Sequence, residues 1–282
     1  MNDARFLPYL LLLPATVFLI AFFLVPFTQV AVEAFTTAEG FSLGNFQTIG
    51  RDWKFVPAIR NTLLLTALIV PIQLALSLFM ATLVTRIGRG RDIVLYVFTI
   101  PLGISDLAAG LIWLALLDQS GFLNTVLFNL GLIDGPQNLL SYQNVPALFA
   151  AIVIAEVWRA TAIMLVILVA GMSLIPREYY EAAEVFGAGG WKRFTRITLP
   201  LLRSSLQTAL ILRTILAFEV FAVVIVLAGT NLPILMGETF AWQFGLQDRE
   251  GAAAYAMIIL AISVAFTLVF LIGLRDKAEA RT

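Results

Sequence analysis

The sequence has neither cysteine nor histidine among its 282 residues. The missing cysteine excludes disulfide bonds, thiolate nucleophiles and cysteine-based zinc or iron–sulfur sites. The missing histidine removes the usual general base and the commonest metal ligand. No Gly-Lys dipeptide occurs, so there is no Walker A loop to hold nucleotide phosphates. These absences argue against a metalloenzyme and against a stand-alone ATPase.

Charged residues are scarce as well. They make up 13% of the chain, whereas apolar residues make up 60% and the mean hydropathy is +0.94. A soluble domain carries about 25% charged residues, so this composition predicts a protein that lies mostly in lipid. The 18 basic and 18 acidic residues cancel, and this balance indicates no nucleic-acid partner.

Six apolar stretches are long enough to cross a bilayer, which takes about 20 residues per helix. They are approximately Phe6–Ala31, Asn61–Val84, Ile93–Leu117, Pro146–Ile175, Leu201–Ala228 and Ala252–Leu274.

Val32-Glu33-Ala34 resembles a signal-peptide cleavage site, but the first stretch exceeds the ~7–15 apolar residues of a signal peptide. We therefore expect a retained helix and an all-α polytopic membrane fold, with residues 1–282 forming a single transmembrane domain of six helices.

Lysine and arginine are unevenly distributed between the two sides of such a bundle. With both termini inside, the inside segments hold 12 basic residues and the outside loops hold 4. The positive-inside rule therefore places both termini in the cytoplasm, together with the loop between spans four and five.

That loop, residues 176–200, is the most charged part of the chain. Pro176 stands where a helix can begin, and acidic residues follow at spacings of three: Glu178, Glu181 and Glu184. Glycines at positions 187, 189 and 190 end this helix. Apolar residues at spacings of three then predict a second amphipathic helix: Trp191, Phe194 and Ile197. On composition alone, an interfacial connection with solvated charges is the simpler interpretation.

The order of residues in this loop favours a more specific interpretation. Glu181-Ala182-Ala183, Gly187 after three residues, and Ile197 to Pro200 after nine more match the EAA signature of ABC-importer membrane subunits. The chain resembles the membrane subunits of binding-protein-dependent sugar importers, in particular the first of the two paired permeases of the maltose and glycerol-phosphate type. The resemblance continues at Arg60-Asn61-Thr62-Leu63, Glu156-Val157-Trp158-Arg159 and Phe218-Glu219-Val220-Phe221.

The resemblance implies the type I ABC-importer permease fold in the inner membrane of a prokaryote, with residues 176–200 as a cytoplasmic coupling loop docked on an ATPase. The residues that it assigns to ATPase coupling are Glu181, Ala182, Ala183, Gly187, Ile197 and Pro200. It also implies the partners: a second permease subunit, two ATPase subunits, an extracytoplasmic solute-binding protein and membrane lipid. ATP and magnesium belong to the ATPase subunits, so no cofactor is expected on this chain and no catalysis by it.

Five charged residues fall inside predicted spans, where each costs at least about 2.5–3.5 kcal/mol unless it is paired or lies in a water-filled cavity. Glu156 and Arg159 share a helical face and can pair, whereas Arg213 and Glu219 lie about 120° apart around their helix. Arg213 is therefore expected to pair with another span or with the second permease. The candidates for the substrate path are Glu156, Trp158, Arg159, Asp106, Arg213, Glu219 and Asn231. Structural ion pairing is the alternative role for the charged members.

The segment Gly229–Thr239 precedes the last span and reads as an external turn or a re-entrant loop. Phe240, Trp242 and Phe244 follow it at spacings of two and predict an interfacial aromatic belt.

Three alternative functions remain at this point. An ion-driven secondary transporter would place an ion site at broken helices near the bilayer midplane, but it gives the EAA loop no role. A membrane enzyme would use Asp106 or Glu219 as an acid or base, but no paired catalytic set accompanies them. An importer of glycerol phosphate would use Arg159 and Arg213 as phosphate partners.

Overall fold

The computed structural model describes residues 7–274, which form a helical bundle. Its helices are α1 (Leu7–Phe35), α2 (Gly44–Gly50), α3 (Phe55–Val84), α4 (Arg91–Thr99), α5 (Asp106–Leu117), α6 (Phe122–Asn129), α7 (Val145–Ser173), α8 (Arg177–Val185), α9 (Gly190–Leu201), α10 (Arg203–Phe218), α11 (Ala222–Ala228), α12 (Leu235–Gly245) and α13 (Arg249–Gly273). A short antiparallel hairpin follows α1, with β1 (Thr36–Thr37) opposite β2 (Gly40–Phe41). Phe6, the first residue of the predicted first span, lies outside the described residues. So do both termini, which the sequence predicts to be cytoplasmic.

Four of the six predicted spans are single long helices: α1, α3, α7 and α13. They contain 25 to 30 residues each, which at 1.5 Å per residue is enough to cross the hydrocarbon core of a bilayer. Pro14 lies inside α1 and Pro71 inside α3 without ending either helix. The prediction of an all-α polytopic membrane fold is confirmed.

The predicted third span, Ile93–Leu117, is interrupted rather than continuous. α4 gives way to a 3₁₀ turn at Ile100–Gly103, and α5 begins afterwards. Pro101 lacks the backbone N–H that a continuing helix needs, and the Ser105 hydroxyl caps α5 by accepting a hydrogen bond from the Ala108 N–H at 3.2 Å. Asp106 therefore lies at the first position of a helix and not in the middle of a span.

The predicted fifth span, Leu201–Ala228, is also interrupted. It is divided into α10 and α11 by the non-helical residues 219–221. The chain bends by 71° between α9 and α10, and by 80° between α11 and α12. The second bend lies at the predicted turn, where Gly229 adopts a left-handed φ of +58°. Five helical segments of the described chain are long and apolar enough to span a membrane: α1, α3, α7, α13 and the stretch Asp106–Asn129, which contains α5 and α6. Counting each bent pair as one span raises this number to seven. The six predicted spans fall within this range.

α7 lies at the centre of the bundle and packs against α3, α5, α10 and α11. Glycines permit the closest contacts: a Cβ at Gly171 would lie 2.1 Å from the Ser205 hydroxyl oxygen of α10, and one at Gly110 would lie 3.0 Å from Val226 of α11. Small residues of this kind are typical of packed membrane helices. By contrast, the first half of α1 buries no residue, so its apolar surface is available to lipid or to another subunit.

Candidate functional site

The loop between α7 and α10 forms the helix–turn–helix that the sequence predicts. Pro176 precedes α8 in an extended conformation, and Glu178 lies in the first turn, where the helix dipole favours a negative charge. α8 ends at Val185, and Gly187 follows two residues later with a φ of +69°. The Gly187 N–H donates to the Glu184 carbonyl and the Ala188 N–H to the Ala183 carbonyl, both at 2.8 Å. Gly187 thus reverses the chain in a conformation that other residues adopt only with strain.

Two side-chain contacts hold α8 against α9. The Tyr180 and Thr198 hydroxyls lie 3.1 Å apart, and Arg193 forms an ion pair with Glu184. Thr198 is buried, so the first of these contacts is shielded from water. The two helices therefore form one braced unit.

The six residues that the sequence assigns to ATPase coupling lie on this unit. Glu181, Ala182 and Gly187 are exposed, Ala183 is half-buried, and on α9 Ile197 is half-buried while Pro200 is exposed. The exposed edge is therefore the acidic face of α8 and the turn that follows it.

The turn also exposes large apolar side chains, which the sequence analysis did not assign to the site. Val185 is 86% exposed, Phe186 is 89% exposed, and Trp191, on α9, is 77% exposed. The sequence did contain a signal for two of them, because Val185 and Phe186 are an apolar pair directly before Gly187 in an otherwise charged loop. Large apolar side chains exposed close together in the chain commonly mark an interaction surface.

The second candidate region is an ion-pair network inside the bundle. Glu156 of α7 is fully buried and accepts a hydrogen bond from Arg213 of α10, with 2.9 Å between Nη2 and Oε2. It also accepts from Arg159 at 3.3 Å, as the i,i+3 spacing predicts. Arg213 therefore pairs with another span of this chain, which is one of the two partners that the sequence left open.

Two further residues complete this network. The Asp106 carboxylate of α5 lies 2.8 Å from Arg159 Nη1. Gln73 of α3, which the sequence analysis missed, accepts from Arg213 Nε and donates through Nε2 to the Glu156 carbonyl at 2.9 Å. The signal for Gln73 was a lone amide in the apolar run of α3. The network joins four helices and contains two carboxylates and two guanidinium groups, so its formal charges cancel.

The other path candidates lie apart from the network. Trp158 is 37% exposed, and its ring packs edge-on against Trp113 of α5, with 6.1 Å between centroids. Glu219 lies in the break between α10 and α11, and Asn231 in the turn after α11; both are exposed. In the described part of the chain neither makes a side-chain hydrogen bond or ion pair to the network.

The predicted belt of three aromatic residues is wrong for Trp242. This side chain is only 8% exposed and packs on α13, where a Cβ at Gly251 would lie 2.2 Å from its ring. Phe240 and Phe244 are exposed, with 4.7 Å between their ring centroids. Leu235–Gly245 is helical, and residues two apart in a helix point to nearly opposite sides. Trp242 therefore faces the bundle, whereas Phe240 and Phe244, four residues apart, share the exposed side.

Comparison with known proteins identifies the family. Residues 73–277 match the family of binding-protein-dependent transport system inner membrane components, which covers well over half of the chain. The chain belongs to this family. The resemblance to ABC-importer membrane subunits is thereby confirmed over the ion-driven and enzymatic alternatives.

Two relatives show what this chain is similar to. The chain is 35% identical over 194 residues to the trehalose transport system permease protein SugA of Mycobacterium tuberculosis (strain CDC 1551 / Oshkosh), covering 66% of this chain and 59% of that protein. It is 30% identical over 286 residues to the sulfoquinovosyl glycerol transport system permease protein SmoG of Agrobacterium fabrum, covering 97% of this chain and 92% of that protein. The match thus spans about three fifths of the first protein and almost all of the second.

A solved structure shows the same fold. A bacterial ABC transporter involved in the import of the acidic polysaccharide alginate superposes with a TM-score of 0.84 at 21% identity, covering 97% of each chain. In an inner-membrane transport component of this fold, the two candidate regions suit different tasks. The exposed loop suits contact with a partner, whereas the charge-neutral network suits holding α3, α5, α7 and α10 together.

Proposed function

We propose that this chain is one permease subunit of an ATP-binding-cassette importer that moves a mono-, di- or oligosaccharide across the cytoplasmic membrane by alternating access. Both termini and the α8–α9 loop lie in the cytoplasm in this proposal. The observation that carries it is the braced α8–α9 unit, which presents the EAA signature and exposed apolar side chains at a point where a soluble partner can reach them. The chain itself performs no bond chemistry.

The partners follow from this role. Two ATPase subunits bind ATP and magnesium and dock on the α8–α9 unit and on its counterpart in a second permease subunit. An extracytoplasmic binding protein delivers the sugar to the opposite face. When the ATPases close on ATP, they displace both loops, and this displacement turns the central cavity outward. Hydrolysis and separation of the ATPases return it to the inward-facing state.

Each coupling residue has a physical role in this docking. Glu181 offers an exposed carboxylate to a basic residue of the ATPase, and the small side chain of Ala182 lets the partner surface approach α8 closely. Gly187 supplies the left-handed turn that orients α8 against α9. Ile197 and Pro200 lie on the return helix and fix where it re-enters the bundle.

The path candidates fall into three groups. Glu156 and Arg213 are fully buried and mutually paired, so we assign them to holding α7 against α10. Asp106 is half exposed and Trp158 is partly exposed, so we assign them, together with Arg159, to the rim of the path. An aromatic face and planar polar groups are suited to a sugar. Glu219 and Asn231 are exposed and remain path candidates near the breaks on either side of α11.

A neutral sugar fits this arrangement better than glycerol phosphate does. Both candidate phosphate partners, Arg159 and Arg213, already pair with carboxylates. Binding a phosphate would require breaking those pairs and leaving Glu156 buried without a counter-charge, which is strongly unfavourable.

The test is isolation of the complete complex through a tag on this chain, followed by ATPase assays in proteoliposomes. We expect two copies of an ATPase and one copy of a second permease per chain. We also expect that a sugar-loaded binding protein stimulates ATP hydrolysis and that glycerol phosphate does not. Recovery of the chain without an ATPase, under conditions where it still transports, would contradict the proposal.

A further inference from the structure

A cavity of about 580 Å³ lies between the α8–α9 unit and the ends of the spans. Its walls come from the end of α3, the start of α4, the end of α7, and both helices of the unit. The volume is in the range of pockets that hold small molecules. We call it the loop cavity.

The lining of the loop cavity is strongly basic. Its charged residues are Arg86, Arg91, Arg177, Arg193 and Glu184. Because Glu184 pairs with Arg193, three arginines remain that have no carboxylate partner within residues 7–274. Arg86 reaches across the cavity towards α9, where its Nη2 lies 3.9 Å from the position of a Cβ at Gly190.

Arg91 is fixed in place but not fully satisfied. Its Nη2 donates to the Ser173 hydroxyl at 2.8 Å, and Ser173 in turn donates to the Val169 carbonyl at 2.7 Å. The Arg91 Nε is buried and has no hydrogen-bond partner among the described residues. Arg91 also lines the loop cavity, so its guanidinium group is held there by Ser173 while no carboxylate among residues 7–274 neutralises its charge.

We propose that the loop cavity binds a phosphate group, either the headgroup of an anionic phospholipid or a free phosphate compound. Guanidinium groups match phosphate oxygens in geometry and charge. Basic pockets between membrane helices on the cytoplasmic side are typical sites for anionic lipid headgroups. Arg86, Arg91 and Arg177 supply the charge, and the Tyr180 hydroxyl is a further donor at the wall.

A phosphate group at this place contacts both the α8–α9 unit, through Arg177, and the ends of the spans, through Arg86 and Arg91. It therefore stiffens the joint between the unit and the bundle. The cytoplasmic position of the cavity and its effect on coupling depend on the proposed function, but the binding itself does not. Binding is measured without transport, so failure of either proposal can be told from failure of the other.

The experiment uses the purified complex in neutral detergent. Phosphatidylglycerol is titrated and its binding is followed by native mass spectrometry, while radiolabelled inorganic phosphate is measured in parallel by equilibrium dialysis. The variants are Arg86→Gln alone and Arg86→Gln with Arg177→Gln. The matched control is Arg89→Gln, which removes an equal charge from the same α3–α4 connection but does not line the cavity. Size-exclusion profiles establish that each variant is folded.

We expect the affinity of the site to fall about five-fold for the single variant and about 25-fold for the double variant, since each arginine beside an anionic headgroup contributes about five-fold. Arg89→Gln should bind as the unaltered protein does. Loss of phosphatidylglycerol binding identifies a lipid, and loss of inorganic phosphate binding alone identifies a free phosphate compound. Unchanged binding of both ligands in the double variant overturns the proposal, as does an equal loss in the Arg89→Gln control.

Discussion

The α8–α9 unit and the ion-pair network both carry several charged side chains, and they differ in whether those charges can still meet a partner outside the chain. Glu181 of the unit is exposed, so its carboxylate is free to meet a partner. Glu156 of the network is fully buried, and both of its arginine partners come from this chain. The comparison shows that exposure, and not charge itself, distinguishes the proposed docking surface from the ion pairs proposed to hold the helices together.

The largest expected effect tests the ion-pair network. Replacing Glu156 with Ala leaves two arginines without their shared carboxylate, and we expect a loss of about 3–5 kcal/mol in the free energy of unfolding, as is usual when one partner of a buried pair is removed. The melting temperature of the detergent-solubilised protein measures it. Glu219→Ala is the control, because that carboxylate is exposed at the end of α10. Equal melting temperatures for the two variants would show that Glu156 does not stabilise the packing of α7 against α10.

The next effect tests the docking surface. Phe186→Ala should leave the melting temperature unchanged, because the side chain is 89% exposed, but should weaken ATPase binding by about 2 kcal/mol if it is an interface hot spot. Quantitative co-purification of the ATPase measures this change. Phe41→Ala is the control, because Phe41 is 78% exposed on the β-hairpin outside the unit. Undiminished ATPase recovery with the Phe186 variant would show that the patch has another use.

A smaller effect tests the turn that orients the unit. Gly187→Ala places a Cβ on a left-handed residue, which costs about 1–2 kcal/mol, and should lower the sugar transported per ATP hydrolysed. Gly189→Ala is closely matched, since neither glycine has an atom within 4 Å of the added Cβ and Gly189 has a φ of −64°. Proteoliposome uptake and hydrolysis are measured together. If both variants behave alike, the backbone conformation at Gly187 is not what matters.

The smallest effect tests the path rim. Trp158→Ala should raise the KM for sugar uptake by several-fold, because an aromatic contact is worth about 0.5–1.5 kcal/mol, while leaving the ATPase bound. Trp158→Phe should restore part of the affinity. Trp53→Ala, on an exposed tryptophan outside the bundle, provides the reference. An unchanged KM in Trp158→Ala would indicate that Trp158 serves only to pack α7 against α5 through Trp113.

The sequence predicts the unit better than the network, and the reason is the range of the interactions. The helices of the unit are specified by neighbours in the chain: Pro176 before α8, Gly187 after it, and apolar residues at helical spacing on α9. In the network only the Glu156–Arg159 pair is local. Asp106 and Gln73 join through tertiary packing, which no spacing in the sequence reveals.

Of the two interrupted spans, one has a break that local sequence explains and the other does not. The interruption of the third predicted span is visible in Pro101 and in the capping residue Ser105. Residues 219–221 include neither proline nor glycine, so the break after α10 arises from packing against the rest of the bundle. Trp242 shows the same limit, since its burial depends on the space that Gly251 leaves on α13.

The contact between Gly171 and Ser205 has a consequence for how force travels. The α8–α9 unit connects the end of α7 to the start of α10, and these two helices touch at Gly171 and are fastened again, deeper in the bundle, by Glu156 and Arg213. Because α7 and α10 are in contact at two levels, a displacement of the unit is expected to move them together as one rigid body, and not to separate them.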